Sequence, residues 1–367
     1  MNPHSSPKNP ASPIGPASSK GLAGLNRLDL AITLFLIAAA IALPFFVDSR
    51  YVLGQIVLAL FYATIASQWN LLFGFAGVFS LAQMAIFAFG GYATAMICFY
   101  FGWNVWGALV PAALGSVVFS LVVGLACLRL TGVYVALLTL AIAQTMYLLI
   151  VTDTECFVMV GSICRQFTGG AVGFARFGDF GTRALFKAQW LVGNYAIVAV
   201  LFTVTMAFTY AIVKSPMGLA FRALKDNPGY AVARGVNRFQ AQLLVFGISA
   251  FFTGLAGGVY AAHFQAIGPG ILSMSQLMFI IAITVVGGVG TFWGPLVGTI
   301  VLVAADELMR EAGEFRTLGL GIIIAVSIVL MPKGLVGRLG DLVGWVRRRR
   351  AAPATKTIAE LPAPAGE

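Results

Sequence analysis

The stretch Lys214-Ser-Pro-Met-Gly-Leu-Ala-Phe-Arg222-Ala-Leu-Lys225-Asp226-Asn227-Pro228-Gly-Tyr-Ala-Val-Ala-Arg234-Gly235-Val-Asn237-Arg238 is the longest polar interruption in the second half of a chain otherwise built of hydrophobic runs. Its five cations, Lys214, Arg222, Lys225, Arg234 and Arg238, stand against the single anion Asp226. Between flanks that span a bilayer, such an excess marks the cytoplasmic side. Within it, Asn227 suits an N-cap, Pro228 the first helical position and Gly235 the left-handed residue after a last turn. The pattern predicts a helix of about two turns over Pro228 to Arg234. A helix so short is marginal in water, because nucleation is costly and few bonds follow. It is therefore expected to fold against something: it is either a docking helix for a cytoplasmic partner or a capped, solvated loop that obeys the charge rule.

The flanks support a membrane setting. Of 367 residues 59% are hydrophobic and 10% charged, far from the roughly 25% charged content of soluble domains. Mean hydropathy is +0.92. A net charge of +10 raises nucleic acid as a partner, but the cations lie in tails and loops between apolar runs and not on a soluble basic face. Positive-inside topology accounts for them, so no nucleic acid is expected. Residues 1–28, rich in Pro, Ser, Ala and Gly, read as a disordered cytoplasmic tail and not as a signal peptide.

A span needs about 20 mostly apolar residues. Candidates are Leu30–Val47, Val52–Phe73, Ser80–Tyr100, Val105–Leu128, Val133–Val151, Trp190–Val213, Ala241–Ala262 and Leu318–Met331. The stretch Ser275–Ala305 is apolar but carries Gly287, Gly288, Gly290, Gly294, Pro295 and Gly298, and reads as two short or broken spans. The fold class is thus an all-α polytopic membrane protein of about ten transmembrane segments, with eight to ten compatible with the pattern. The transmembrane domain runs over 29–337, with an outer loop at 152–189, a cytoplasmic loop at 214–238 and a basic cytoplasmic tail at 338–367. With both termini inside, 16 of the 23 cations are cytoplasmic and eight of the 13 acids are outside, which sets the orientation. Arg347–Arg350 fits an anchor for inner-leaflet lipid.

No Asp, Glu, Lys or Arg lies near the middle of any expected span, whereas proton relays and voltage sensors need such groups within the membrane. That counts against an ion-coupled secondary transporter. An intramembrane enzyme lacks a His, Asp or Glu constellation. Of two histidines, His4 is in the tail and His263 at a span end, where it reads as interfacial; no metal site is expected. Without a G-x-x-x-x-G-K-[ST] loop the chain does not bind ATP in that manner, so energy for uphill transport has to come from another subunit. Cys98 and Cys127 read as small apolar residues. Cys156 and Cys164 share the loop placed outside, where a disulfide can form.

Gly74-Phe-Ala-Gly77-Val-Phe-Ser80-Leu-Ala-Gln83 opens an apolar run. Its glycines permit unwound backbone, and a half-helix starting near Ser80 would point N-terminal amides into the bundle, an end suited to a carboxylate. Equally, glycines let helices pack closely, as expected for Gly254-x-x-x-Gly258 and Gly290-x-x-x-Gly294. Ser80, Gln83, Thr139 and Gln144 are the candidates for lining a pathway, or else hydrogen bonds between helices.

Here the chain resembles the permease subunits of the branched-chain amino acid family of ABC importers, the LivM type in particular. The resemblance is carried by Trp69-Asn-Leu-Leu-Phe-Gly-Phe-Ala-Gly77 with Ser80-Leu81, by Thr139-Leu-Ala, Thr168-Gly-Gly, Gly218-Leu-Ala-Phe-Arg-Ala-Leu-Lys-Asp226-Asn227 and Gly235-Val-Asn237. It continues through Ser249-Ala-Phe-Phe-Thr-Gly-Leu-Ala-Gly257 and Met331-Pro-Lys-Gly334-Leu-Val-Gly337. It implies import of leucine, isoleucine, valine or related small amino acids. It also implies a homologous permease partner, two cytoplasmic ATP-binding subunits that hold the ATP and Mg, and a periplasmic binding protein. This chain then binds no cofactor, is not itself an enzyme, and sits in the inner membrane. The loop becomes the coupling element, with Arg222, Asp226, Asn227, Arg234 and Gly235 its residues. The wider importer motif has Glu-Ala-Ala where this chain has Gly229, Tyr230 and Ala231, and the family's glycine after Ser-Leu is replaced by Ala82 followed by Gln83. Urea, short amides or aromatic acids are alternative substrates within the same family.

Overall fold

The computed structural model describes residues 49–130, 132–160, 163–182, 190–313, 315–330 and 334–338. The expected first span Leu30–Val47, the tail 1–28 and residues 339–367 lie outside the described residues.

Among the described residues, six helices are long and apolar enough to cross a membrane. They are α1 (Arg50–Trp69, continued by a π-helical turn Asn70–Phe75), α2 (Gln83–Phe101), α3 (Val105–Cys127), α4 (Val133–Val151), α5 (Trp190–Lys214) and α8 (Arg238–Phe264). Between α5 and α8 lie α6 (Pro216–Asp226) and α7 (Pro228–Ala233). Three shorter helices complete the described bundle: α9 (Met274–Gly287), α10 (Gly294–Leu308) and α11 (Phe315–Leu330). The apolar stretch Ser275–Ala305 is thus two helices, broken where Gly288 and Gly290 take φ of 124° and 76°, a region open to glycine at little cost.

Short strands interrupt the helical pattern among the described residues. β1 (Val158–Val160) and β2 (Ile163–Arg165) form an antiparallel hairpin, and β3 (Phe174–Ala175) pairs antiparallel with β4 (Ala266–Ile267) after α8. They lie at the end of the bundle opposite α6 and α7. Cys156 and Cys164 are disulfide-bonded in this loop, with a Cα–Cα separation of 5.5 Å.

Alpha8 is the central helix, packed along both α2 and α3, and small residues set the approach. A Cβ on Gly257 would lie 1.9 Å from the Phe87 carbonyl oxygen, one on Gly90 2.1 Å from that of Gly254, and one on Gly254 2.2 Å from Ser116 Oγ. Helices in lipid gain little from burying apolar surface against each other, so van der Waals contact at short range has to hold them. Glycine is what permits it. The α9–α10 pair repeats the device: a Cβ on Gly287 would meet the Gly294 carbonyl oxygen at 1.9 Å, and one on Gly298 the Ile283 carbonyl oxygen at 2.0 Å.

The outer faces are apolar. On α3, Val110, Leu114, Val118 and Val122 form an exposed stripe at a four-residue spacing, and on α4 Leu137, Leu148 and Leu149 are likewise exposed. Such a surface belongs against lipid or another apolar chain. His263, expected at an interface, is buried in α8 beside Phe264 and Phe61; its position on the last turn of α8 is covered by α1.

Candidate functional site

Between the π-turn and α2 the backbone is unwound over residues 76–82. The half-helix expected to begin near Ser80 begins at Gln83 instead. Leu81 N donates to Thr139 Oγ1 at 2.9 Å and Ala82 N to Ser80 Oγ at 3.3 Å, so side chains satisfy the N–H groups just ahead of the first turn, which have no partner within the helix. Trp69 Nε1 holds the Ser80 carbonyl at 2.7 Å. Non-helical backbone at membrane depth is tolerated where protein or an aqueous cavity surrounds it.

Ser80, Gln83 and Thr139 are all fully buried. Ser80 and Thr139 meet through the backbone of residues 80–82. Gln83 belongs to a second group: its Nε2 donates to Ser249 Oγ at 3.2 Å and Thr253 Oγ1 at 2.5 Å, while Ser249 Oγ donates to the Gln68 carbonyl at 3.1 Å. Gln68 Nε2 extends the chain to Thr209 Oγ1 at 2.9 Å. The seam therefore joins α1, α2, α5 and α8. Gln68 Oε1 and Gln83 Oε1 have no partner among the described residues. Gln144 stands apart, half-buried on α4 and without a hydrogen bond to any described residue. Gln68, Ser249, Thr253 and Thr209 are not among the residues expected to line a path, though Gln68 stands out with Gln55 and Asn70 as an amide in an apolar run.

A junction lies where the π-turn ends. Asn70 Oδ1 accepts from Gly290 N at 2.8 Å and its Nδ2 donates to the Thr291 carbonyl at 2.8 Å. Lys225 Nζ donates to the Gly74 carbonyl at 2.6 Å. Gly77, at φ 73°, would place a Cβ 2.9 Å from Lys225 Cγ, so the α6 side chain lies directly on this backbone. One turn of α1 is thus tied to the α9–α10 break and to α6 together. A π-turn is a wide turn with strained hydrogen bonding, found often at functional positions.

Alpha6 was hidden in the sequence as loop. Gly218, Phe221 and Leu224 make its buried face, at three-residue intervals, and Arg222 lies over the Phe75 ring at 5.3 Å. Alpha7 matches the expected short helix. Asn227 Oδ1 accepts from Tyr230 N at 3.0 Å, Arg234 N donates to the Tyr230 carbonyl, and Gly235 follows at φ 88°. Arg234 also donates to the Tyr230 hydroxyl at 2.7 Å. Of α7 only Ala231 is buried, and Tyr230 and Val232 are exposed. Asp226, the last residue of α6, is exposed. The result is a short capped helix with a cationic rim and the exposed side chains of Tyr230 and Val232.

Above α6 and α7 a cavity of about 580 Å³ reaches from Lys225 and Arg238 to the unwound residues Gly77, Val78 and Phe79, walled by Cys127, Val135 and Ala136.

A bundle of membrane-crossing helices with an unwound buried segment, a neutral polar seam and a capped surface helix defines a multi-pass transport subunit. Residues 51–331 match the family described as "Branched-chain amino acid transport system / permease component", and the chain belongs to that family. It is 27% identical over 317 residues to the high-affinity branched-chain amino acid transport system permease protein LivM of Escherichia coli K12, covering 83% of this chain and 74% of that one. Against LivM of Salmonella typhimurium LT2 it is 26% identical, covering 82% and 73%. LivH of the same Salmonella strain is 29% identical over 174 residues, 44% of this chain and 56% of that one. No solved structure matches.

Proposed function

We propose that this chain is a transmembrane subunit of an ABC importer carrying leucine, isoleucine, valine or related small amino acids across the inner membrane. Family membership over residues 51–331 is the observation that carries this. The relatives' names include both LivM and LivH types, which supports a heteromeric pair of permeases. Two cytoplasmic ATP-binding subunits supply ATP and Mg, and a periplasmic protein delivers substrate. The absence of an ATP loop in this sequence is consistent with that division of labour.

In this arrangement residues 29–337 form the permease domain with ten spans, Leu30–Val47 being the first and both termini cytoplasmic. Alpha6 and α7 then lie in the cytoplasm, and Arg222, Asp226, Asn227, Arg234 and Gly235 present the docking surface to an ATPase. Ser80, Gln83 and Thr139, with Gln144 farther along α4, line or border the path. A zwitterion with an apolar side chain suits this neutral interior, because amides, hydroxyls and helix ends meet its charges without buried ions. Co-expression with its genomic neighbours, followed by reconstitution with the binding protein, tests the proposal. ATP-dependent leucine uptake that fails when any subunit is omitted is the expected result; uptake by this chain alone under an ion gradient would overturn it.

A further inference from the structure

We infer that the cavity between the unwound segment and the start of α8 binds the transported amino acid on its cytoplasmic side, with carboxylate, ammonium and side chain each met by different groups. This inference rests on the amino-acid reading above for its substrate class. The site lies beyond the contact at which Leu81 N meets Thr139 Oγ1, and involves residues other than the four first expected to line a path.

Its size comes first. About 580 Å³ falls within the roughly 300–1,000 Å³ of pockets that hold small organic ligands. The walls are apolar where Val78, Val135, Ala136 and Phe246 line it, which suits a branched aliphatic side chain.

Two cations border it. Arg238 is the first residue of α8 and half-buried, a position where the helix dipole disfavours positive charge and favours an anion. No described residue accepts from its guanidinium, whose planar donors match a carboxylate. Lys225 also lines the cavity and gives one hydrogen bond to Gly74, leaving two of an ammonium's three donors.

The ammonium needs acceptors, and the unwound backbone supplies them. The carbonyls of residues 76–79 accept no hydrogen bond from a described residue, and Gly77, Val78 and Phe79 line the cavity. Here they are free acceptors at the edge of the cavity, beside the Lys225 stem. An anionic lipid would satisfy the cations and the apolar walls but leave those acceptors unused, so the geometry favours a zwitterion.

The test is equilibrium binding of labelled leucine to the assembled transporter, without its binding protein, in neutral-lipid nanodiscs. Saturable binding is expected. Arg238→Gln should weaken it at least tenfold, with Arg238→Lys restoring part, and Ala136→Phe should abolish it by filling the cavity. Leucine lacking its amino group, 4-methylpentanoate, should compete at least tenfold more weakly than leucine. Thr145→Val on the exposed side of α4 should change nothing. Absence of leucine binding, an unaltered Arg238→Gln, or equal competition by 4-methylpentanoate overturns the inference. Displacement of leucine by phosphatidylglycerol at low mole fraction would assign the cavity to lipid and also overturn it. Uptake assayed with the binding protein separates the two levels: uptake without binding at this site sinks only this inference, and loss of amino-acid uptake in the parent sinks the substrate reading.

Discussion

Lys225 Nζ donates to the Gly74 carbonyl oxygen at 2.6 Å, joining α6 to the π-turn that ends α1 across 151 positions of sequence. The same turn is held on its other side by Asn70, whose amide bonds both Gly290 and Thr291. Hydrogen bonds thus link α6 to the π-turn, and the π-turn to the α9–α10 break. Lys225→Met is expected to leave insertion and assembly intact, because Lys225 is largely exposed and such a bond contributes about 1.5 kcal/mol or less at that exposure. Transport per ATP hydrolysed should fall several-fold while basal hydrolysis persists. Equal coupling in the variant and the parent would show that the bond holds position only. Lys225→Arg should retain most of the coupling.

The packing of α8 yields a sharper stability prediction. Gly257→Ala places a methyl 1.9 Å from the Phe87 carbonyl oxygen, and Gly90→Ala one 2.1 Å from that of Gly254. Backbone cannot move aside as a flexible side chain can, so each should cost about 1–3 kcal/mol. Thermal melting in detergent should show a drop of several degrees for both. Gly54→Ala, where a Cβ meets nothing within 4 Å, is the control and should melt with the parent or slightly above it.

The sequence made six of the expected spans legible by length alone, and the two helices within Ser275–Ala305 by their clustered glycines. It also showed α7, since Asn227, Pro228 and Gly235 are local signals whose meaning does not depend on the rest of the fold. What it hid were features decided by neighbours. Alpha6 was absorbed into a polar loop because only Gly218, Phe221 and Leu224 face the bundle, too few to stand out among cations. Within the unwound residues 76–82 the Leu81 N–H is met by Thr139, nearly 60 positions away. Gln144 was grouped with Thr139 because α4 is apolar on every side, and a helix without a polar face does not reveal which side turns inward. It lies five residues on from Thr139, about 140° away from it around the helix.

The Cys156–Cys164 pair provides a topology test. The hairpin they brace lies opposite α6 and α7, on the side proposed to be periplasmic. After mild reduction of intact cells, a membrane-impermeant thiol reagent should label both cysteines, and the label should be lost in the Cys156→Ser, Cys164→Ser double variant. Cys98 and Cys127 are buried and should stay unlabelled. Labelling that requires a broken membrane would invert the proposed orientation.

The docking role proposed for α7 makes separable predictions for Gly235, Asn227 and Arg234. Gly235 sits at φ 88° with nothing within 4 Å of a would-be Cβ, so Gly235→Val meets no steric neighbour but pays the left-handed backbone cost of roughly 1 kcal/mol or more. Asn227→Ala removes the acceptor for Tyr230 N and should cost about 1 kcal/mol of helix stability. Since α7 has six residues and buries only Ala231, either loss is large compared with what holds the helix in place. Arg234→Glu instead leaves the helix formed but replaces the cation that rests on Tyr230 with an anion. All three variants should insert normally and keep the melting behaviour of the bundle, because none touches an apolar contact between α2, α3 and α8. Co-purification of the ATP-binding subunits, or substrate-stimulated ATP hydrolysis, should be lost in Gly235→Val and Arg234→Glu and reduced in Asn227→Ala. If all three variants assemble and transport as the parent does, α7 is a solvated cap and the docking surface has to lie elsewhere, with the exposed flank of α6 next in line.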